Sequence, residues 1–169
     1  MLKVSSLSAA CASVAMAIVC IFAGNFAKAV PLDKTASDLV NSIDSAFEAS
    51  SCTNVESLMA LYSDDVIVYE VTGHDGGKST YREFIKELLC LMDDPKTPVT
   101  DHRINFTIKK VGGNENILWA SGTYNPSYVN PKGEDISAPD LRFTFVWEKD
   151  SDGVYKVVSA HTSGAGRMR

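Results

Sequence analysis

The spacing of apolar positions changes character along the chain. Ala36, Leu39, Val40, Ile43, Ala46 and Phe47 recur at intervals of three and four, which predicts an amphipathic helix over 33–50. Cys52-Thr53-Asn54 interrupts that pattern, and Asn54 suits the cap of a second helix with Val55, Leu58, Met59 and Tyr62 on its apolar face. Asp64-Asp65 is its expected end, and Val66 to Val71 reads as a short strand. A glycine-rich turn follows at Thr72 to Gly77. Thr80 and Glu83 then carry the spacing of a capping box, and Tyr81, Phe84, Ile85, Leu88 and Met92 form the stripe of a third helix that Asp93-Asp94-Pro95 stops.

Beyond Pro98 the period shortens to two. Arg103 to Val111 runs into the turn signal Gly112-Gly113-Asn114, and Ile117 to Tyr128 returns as a long strand in which Gly122 and Pro126 point to bulges or an edge. Pro131-Lys132-Gly133 is a further turn. Leu141 to Glu148 and Val154 to Thr162 make the last hairpin around Asp152-Gly153. Three helices followed by a four-stranded antiparallel meander predict an α+β domain, its helices on one face of a curved, mostly antiparallel sheet. Such a sheet leaves room for a pocket in its concavity.

The first 29 residues are expected to stand apart from this fold. Lys3 is followed by an apolar run from Ala9 to Ala23, too short to span a bilayer comfortably, and Ala27-Lys28-Ala29 has the small-x-small pattern of a signal peptidase site. Cys20 lies inside that run without the context of a lipoprotein site. Cleavage after Ala29 implies a secreted or periplasmic domain spanning 30–169, with no membrane attachment after cleavage. Removing Lys3 and Lys28 leaves 14 basic against 21 acidic side chains, a net charge of about −7, and with no compensating basic run this argues against a nucleic-acid partner. Cys52 and Cys90 remain, either bridged or as two buried thiols. Asn105-Phe106-Thr107 is a glycosylation sequon that depends on a eukaryotic host.

Most chemical motifs fail on inspection. His74, His102 and His161 lack paired spacing, and the run from Glu148 to Gly153 starts like a calcium loop but has Ser159 where a bidentate Glu belongs, so no metal and no cofactor are expected. There is no Gly-x-Ser-x-Gly elbow. Arg142 stands in an otherwise apolar strand, either wet at an edge or as a cation in a pocket. His161 is either a neighbour-bonded histidine or a pocket group that binds or deprotonates a ligand. Tyr62, Tyr69, Trp119, Tyr124 and Trp147 are candidate cavity aromatics or plain core, and Glu70 or Asp101 are candidate general bases.

The final strands carry the most specific pattern. Leu141-Arg142-Phe143-Thr144-Phe145-Val146-Trp147, Asp152-Gly153-Val154-Tyr155 and Ser159-Ala160-His161-Thr162-Ser163-Gly164-Ala165 resemble the end of the association (hub) domain of calcium/calmodulin-dependent protein kinase II. Gly77 to Leu89 resembles that family's third helix, and Tyr124 to Gly133 its tyrosine-containing strand and turn, so the resemblance covers most of 36–165. Two departures matter. Ser159 replaces the first histidine of the motif, and Phe145 stands where the hub has arginine. The order of elements is also similar to the wider NTF2-like superfamily, including SnoaL-like cyclases, ketosteroid isomerases and scytalone dehydratases.

The resemblance implies an NTF2-like cone in which the second and third helices lie close, bringing the Cα atoms of Cys52 and Cys90 within about 7 Å. It implies a pocket shared by Arg142 and His161, with Tyr62, Tyr69, Trp119 and Tyr124 around it and Arg142 anchoring an anionic group. It also implies sheet-to-sheet pairing, because Phe143, Phe145 and Trp147 alternate with Arg142, Thr144 and Val146 and leave apolar side chains on both faces. A homodimer, alone or as the unit of a larger ring, is the expected partner. Two functions fit: a non-catalytic oligomerising module that binds a small ligand, or a SnoaL-like isomerase, cyclase or dehydratase using His161.

Overall fold

The computed structural model describes residues 31–96, 99–138 and 140–164; the segment read as a signal peptide and Ala165 of the terminal motif lie outside the described residues. Helix α1 (Leu32–Glu48) buries Ala36, Val40, Ile43 and Phe47, the centre of the predicted stripe. Helix α2 (Glu56–Met59) is a single turn, shorter than its apolar spacing suggested. Val55 rather than Asn54 holds its N-cap position, with no side-chain cap bond. Tyr62 opens strand β1 (Tyr62–Tyr69) instead of closing a helix. Apolar residues at 55, 58, 59 and 62 suit one helical turn followed by a strand equally well, and pairing with a distant strand decides between them.

Helix α3 (Lys78–Met92) buries Tyr81, Ile85 and Leu89. Its N-cap is Gly77, three residues before the expected cap at Thr80, and carries no side-chain cap bond. Lys78 Nζ instead donates to the Tyr62 carbonyl and to Asp64 Oδ1, each at 2.8 Å, pinning the start of the helix to β1. At its far end Cys90 pairs with Cys52 as a disulfide, their Cα atoms 4.4 Å apart and within the expected limit. The Cys52 amide also donates to Asp93 Oδ2 at 2.9 Å.

The remaining strands are β2 (Thr100–Gly113), β3 (Ile117–Val129), β4 (Asp135–Ser137), β5 (Leu141–Lys149) and β6 (Tyr155–Ser163). Strands β2, β3, β5 and β6 form the predicted antiparallel meander. Two additions correct it: β1 joins as an edge strand parallel to β6, and the short β4 pairs with β3. The partner change along β3 falls at Pro126. Tyr124 is the last residue paired with β5 and Ser127 the first paired with β4, and the proline, lacking an N–H, sits at the switch.

Bulges bend the sheet. One interrupts the β2–β3 register between Ile108 and Lys110, opposite Gly122 and Ser121, where a side chain on Gly122 would collide with the Thr107 carbonyl and the Phe143 ring. Another lies between β5 and β6, where Trp147 pairs with Val157 but Val146 pairs with Ser159, leaving Val158 as the extra residue. The core lies between this bent sheet and the helices, with Trp147, Tyr62, Phe143, Leu58, Leu89 and Leu118 among its most deeply buried side chains.

Candidate functional site

A cavity of about 280 Å³ occupies the concave side of the sheet. Helix α1 contributes Ile43 and Phe47, and α3 contributes Tyr81, Phe84, Ile85 and Leu88. The floor comes from Ile104 and Phe106 of β2, Tyr124 and Pro126 of β3, Leu141 and Phe145 of β5 and Thr162 of β6. Tyr62 and the segment Glu70-Val71-Thr72, which leaves β1, complete the wall. Among the described residues that line it, Glu70 is the one charged side chain.

Glu70 enters the cavity through strand alternation. Val66 and Val68 are buried on the inner face of β1 while Ile67 and Tyr69 point outward, so the next inward position is Glu70. Its side chain is anchored at one oxygen. Thr162 Oγ1 donates to Glu70 Oε2 at 2.9 Å, while the same hydroxyl accepts from the Val71 amide at 3.0 Å. The Glu70 amide is held by Asp75 Oδ1 at 2.9 Å, which folds the following turn back onto the strand. Burial pushes the Glu70 carboxyl above its ordinary range, opposed by the Thr162 hydrogen bond.

Three phenols share the cavity. Tyr62 OH donates to Tyr81 OH at 3.4 Å, and their rings lie 5.1 Å apart. Burial raises the pKa values of Tyr62 and Tyr81, and to a lesser degree Tyr124, with the Glu70 charge adding to each. All three therefore stay protonated near neutral pH and act as hydrogen-bond donors. A carboxylate and phenol donors in an apolar enclosure can bind a polar group on an otherwise apolar molecule, or move a proton to or from it.

The expected site is only partly assembled. Tyr62 and Tyr124 line the cavity, but Arg142, His161, Tyr69 and Trp119 lie on the opposite, outer face. For Arg142, Tyr69 and Trp119 simple alternation is the cause: Phe143, Val68 and the pair Leu118 and Ala120 take the inward positions beside them. For His161 the cause is the bulge at Val158. Val157 is buried, and unbroken alternation would carry His161 inward; the extra residue turns it out and turns Thr162 in. The pocket shared by Arg142 and His161 is thereby overturned, and with it the anion anchor. Asp101 is exposed, at a φ of 50°, and does not line the cavity. Tyr81 and Thr162 were the unforeseen members of the site. Tyr81 carried a signal, its place on the inner stripe of α3, whereas Thr162 depended on the bulge.

On the outer face, cross-strand registers align Ile67, Ser159, Val146 and Trp119 in one row and Tyr69, His161, Thr144 and Ser121 in the next. Ile67 is 52% and Tyr69 49% exposed, giving this face an apolar, partly aromatic centre. Among the described residues no group of three or more His, Cys, Asp or Glu is gathered to hold a metal, and no helix is long and apolar enough to cross a membrane.

The cone of helices over a bent sheet is shared with solved structures. A Salmonella enterica protein of the nuclear transport factor 2 (NTF2-like) superfamily superposes with a TM-score of 0.61 over 82% of this chain and 94% of its own, at 16% identity. The chain has the NTF2-like fold. A Xanthomonas campestris protein named for the calcium/calmodulin-dependent protein kinase II association domain gives 0.59 over 79% and 88%, at 18% identity. A ketosteroid isomerase-like protein from Erwinia carotovora gives 0.54 over 78% and 94%, at 16% identity. No protein-family model and no curated protein matches the sequence. The NTF2-like fold is thus common to this chain, to association-domain-like proteins and to isomerase-like proteins.

Proposed function

We propose that the protein is an exported NTF2-like module that binds a small, largely apolar molecule in its cone and associates through its outer sheet face. The observation that carries the binding reading is the 280 Å³ apolar cavity with Glu70, Thr162 and three buried phenols converging on it. Surface that apolar is not retained in a hollow interior for stability alone, since a filled core packs better. Titration of the mature protein with a neutral, polarity-sensitive naphthalene dye is expected to give saturable fluorescence enhancement, lost in Ile85→Trp, which fills the cavity. A wild-type protein that gives no saturable signal refutes the reading.

Association rests on the outer-face row that holds Ile67, Val146 and Trp119, with the exposed Tyr69 in the row beside it. A twofold pairing of two such faces buries them. Sedimentation at micromolar concentration should give a dimer mass, and Ile67→Lys with Trp119→Lys should give a folded monomer. Export predicts that the protein recovered outside the cytoplasm begins at Val30, a mass that intact-protein spectrometry reads directly.

A second reading is favoured by one observation, the buried Glu70 whose pKa is raised. In that reading Glu70 takes a proton from carbon next to a ligand carbonyl while a phenol donates to the developing oxyanion. Deuterium exchange into a neutral ketone, abolished by Glu70→Gln, is its test; exchange no faster than in buffer removes it.

A further inference from the structure

We propose that the cavity selects an uncharged ring compound carrying a hydroxyl group, and that Glu70 and Tyr81 together set that choice. The inference rests on the binding reading above and names the ligand class for the same cavity. The lining supplies no cation among the described residues, so a carboxylate or phosphate entering it meets Glu70 without a counter-charge. Exclusion of anions therefore follows from the charge of the wall.

Hydrogen-bond roles narrow the class further. Thr162 donates to Oε2 of Glu70 and the Val71 amide lies beside the same carboxyl group, whose two oxygens keep acceptor capacity for a ligand. Tyr62 donates to Tyr81, so the Tyr81 oxygen is already an acceptor and its own hydrogen is left for a ligand. The wall thus offers one strong acceptor and one donor. A hydroxyl is the small group that donates to one and accepts from the other. A ketone answers only Tyr81, an aromatic amine, whose lone pair is delocalised into the ring, answers mainly Glu70, and a hydrocarbon answers neither, leaving buried polar groups unmatched. Glu70 offers the hydroxyl a partner in its ionised form and in its protonated form alike.

Size sets the scaffold. A cavity of roughly 150 Å³ lined by apolar side chains takes benzene, and about 280 Å³ is near twice that, room for two fused rings. The walls are matched to flat faces: Tyr62, Tyr81, Phe84, Phe106, Tyr124 and Phe145 all present rings.

The test is a matched series at pH 7 on the mature protein: 2-naphthol, naphthalene, 2-naphthylamine and naphthalene-2-carboxylate, with affinity read by calorimetry. The expected order places 2-naphthol about tenfold or more tighter than naphthalene, since a hydrogen bond to a charged group is worth at least that factor, with the carboxylate weakest. Glu70→Gln should narrow the naphthol advantage and strengthen carboxylate binding, and Tyr81→Phe should narrow the naphthol advantage while leaving naphthalene unchanged. Both are checked for native circular dichroism, and the wild-type order decides the matter if either variant is unfolded. Equal affinity for naphthol and naphthalene, or a carboxylate that binds as well as naphthol, overturns the hydroxyl selection while leaving a binding cavity. Failure of all four compounds to bind overturns the binding reading itself.

Discussion

The concave and outer faces of the sheet are built from alternate residues of the same strands, yet they have opposite chemistry. On β5 the inward set is Phe143, Phe145 and Trp147, each 4% exposed or less, and the outward set is Arg142, Thr144, Val146 and Glu148. The inward rings interlock with each other and with Phe106, at centroid separations of 5.1–5.8 Å. The concave face also carries a roof of helices held by the Cys52–Cys90 pair, whereas on the outer face of the single chain Arg142 and His161 are exposed. A charged group therefore means different things on the two sides. Arg142 outside is solvated and cheap, while Glu70 inside requires the Thr162 hydroxyl and a shifted proton affinity. The lesson is that a polar residue in an apolar strand marks a site only when its own parity, bulges included, turns it inward.

The largest way to test this contrast is Trp147→Ala, which should cost about 3–5 kcal/mol of stability in urea unfolding because the inner face has no room to collapse. A loss below 1 kcal/mol would mean that the inward rings are not packed as described. Next comes the helical roof. Replacing both Cys52 and Cys90 by serine should cost roughly 2–4 kcal/mol, as expected for a cross-link spanning 38 residues, read as a fall in the urea midpoint of the variant relative to the oxidised protein.

Glu70→Gln should have a smaller effect whose sign depends on pH. Burial raises the native pKa of Glu70 above its ordinary value of 4.5, so the folded protein holds this proton more tightly than the unfolded chain. That contribution to stability is full below 4.5 and is lost as pH rises through the native pKa. Gln still accepts from Thr162 but cannot ionise. The variant should therefore melt above the parent at pH 7, with the advantage vanishing under acid conditions; a variant less stable at pH 7 would show that the carboxylate is not buried at a cost. The smallest effects belong outside. In the monomeric background of Ile67→Lys with Trp119→Lys, Arg142→Ala and His161→Ala should each change stability by no more than about 0.5 kcal/mol and leave naphthol affinity unaltered. Loss of affinity in either would return them to the cavity.

Several of these assignments are readable from the chain. Helix α1 and its buried stripe follow from the spacing of Ala36, Val40, Ile43 and Phe47, because burying one face of a helix needs only a period near 3.6. The β2–β3 and β5–β6 hairpins follow from period-two runs separated by Gly-Gly-Asn and Asp-Gly, because such turns leave little choice of partner, whereas the Pro-Lys-Gly turn joins β3 to the unforeseen β4. Glu70, too, carried a readable parity with Val66 and Val68.

Tertiary structure alone decided the rest. Tyr62 became the first residue of a strand because Val157, nearly a hundred positions later, was there to pair with it, and local spacing holds no record of a parallel partner. The outward turn of His161 and the inward turn of Thr162 follow from one unpaired residue, Val158, in a strand where Val157-Val158 puts two apolar letters in succession without saying which parity continues inward. A single inserted residue reverses every later side chain while leaving the hydrophobic pattern almost unchanged. The sequence therefore determined the elements, the meander and the apolar character of the cone, whereas the identity of the groups that meet inside it depended on strand register, which only the folded sheet defines.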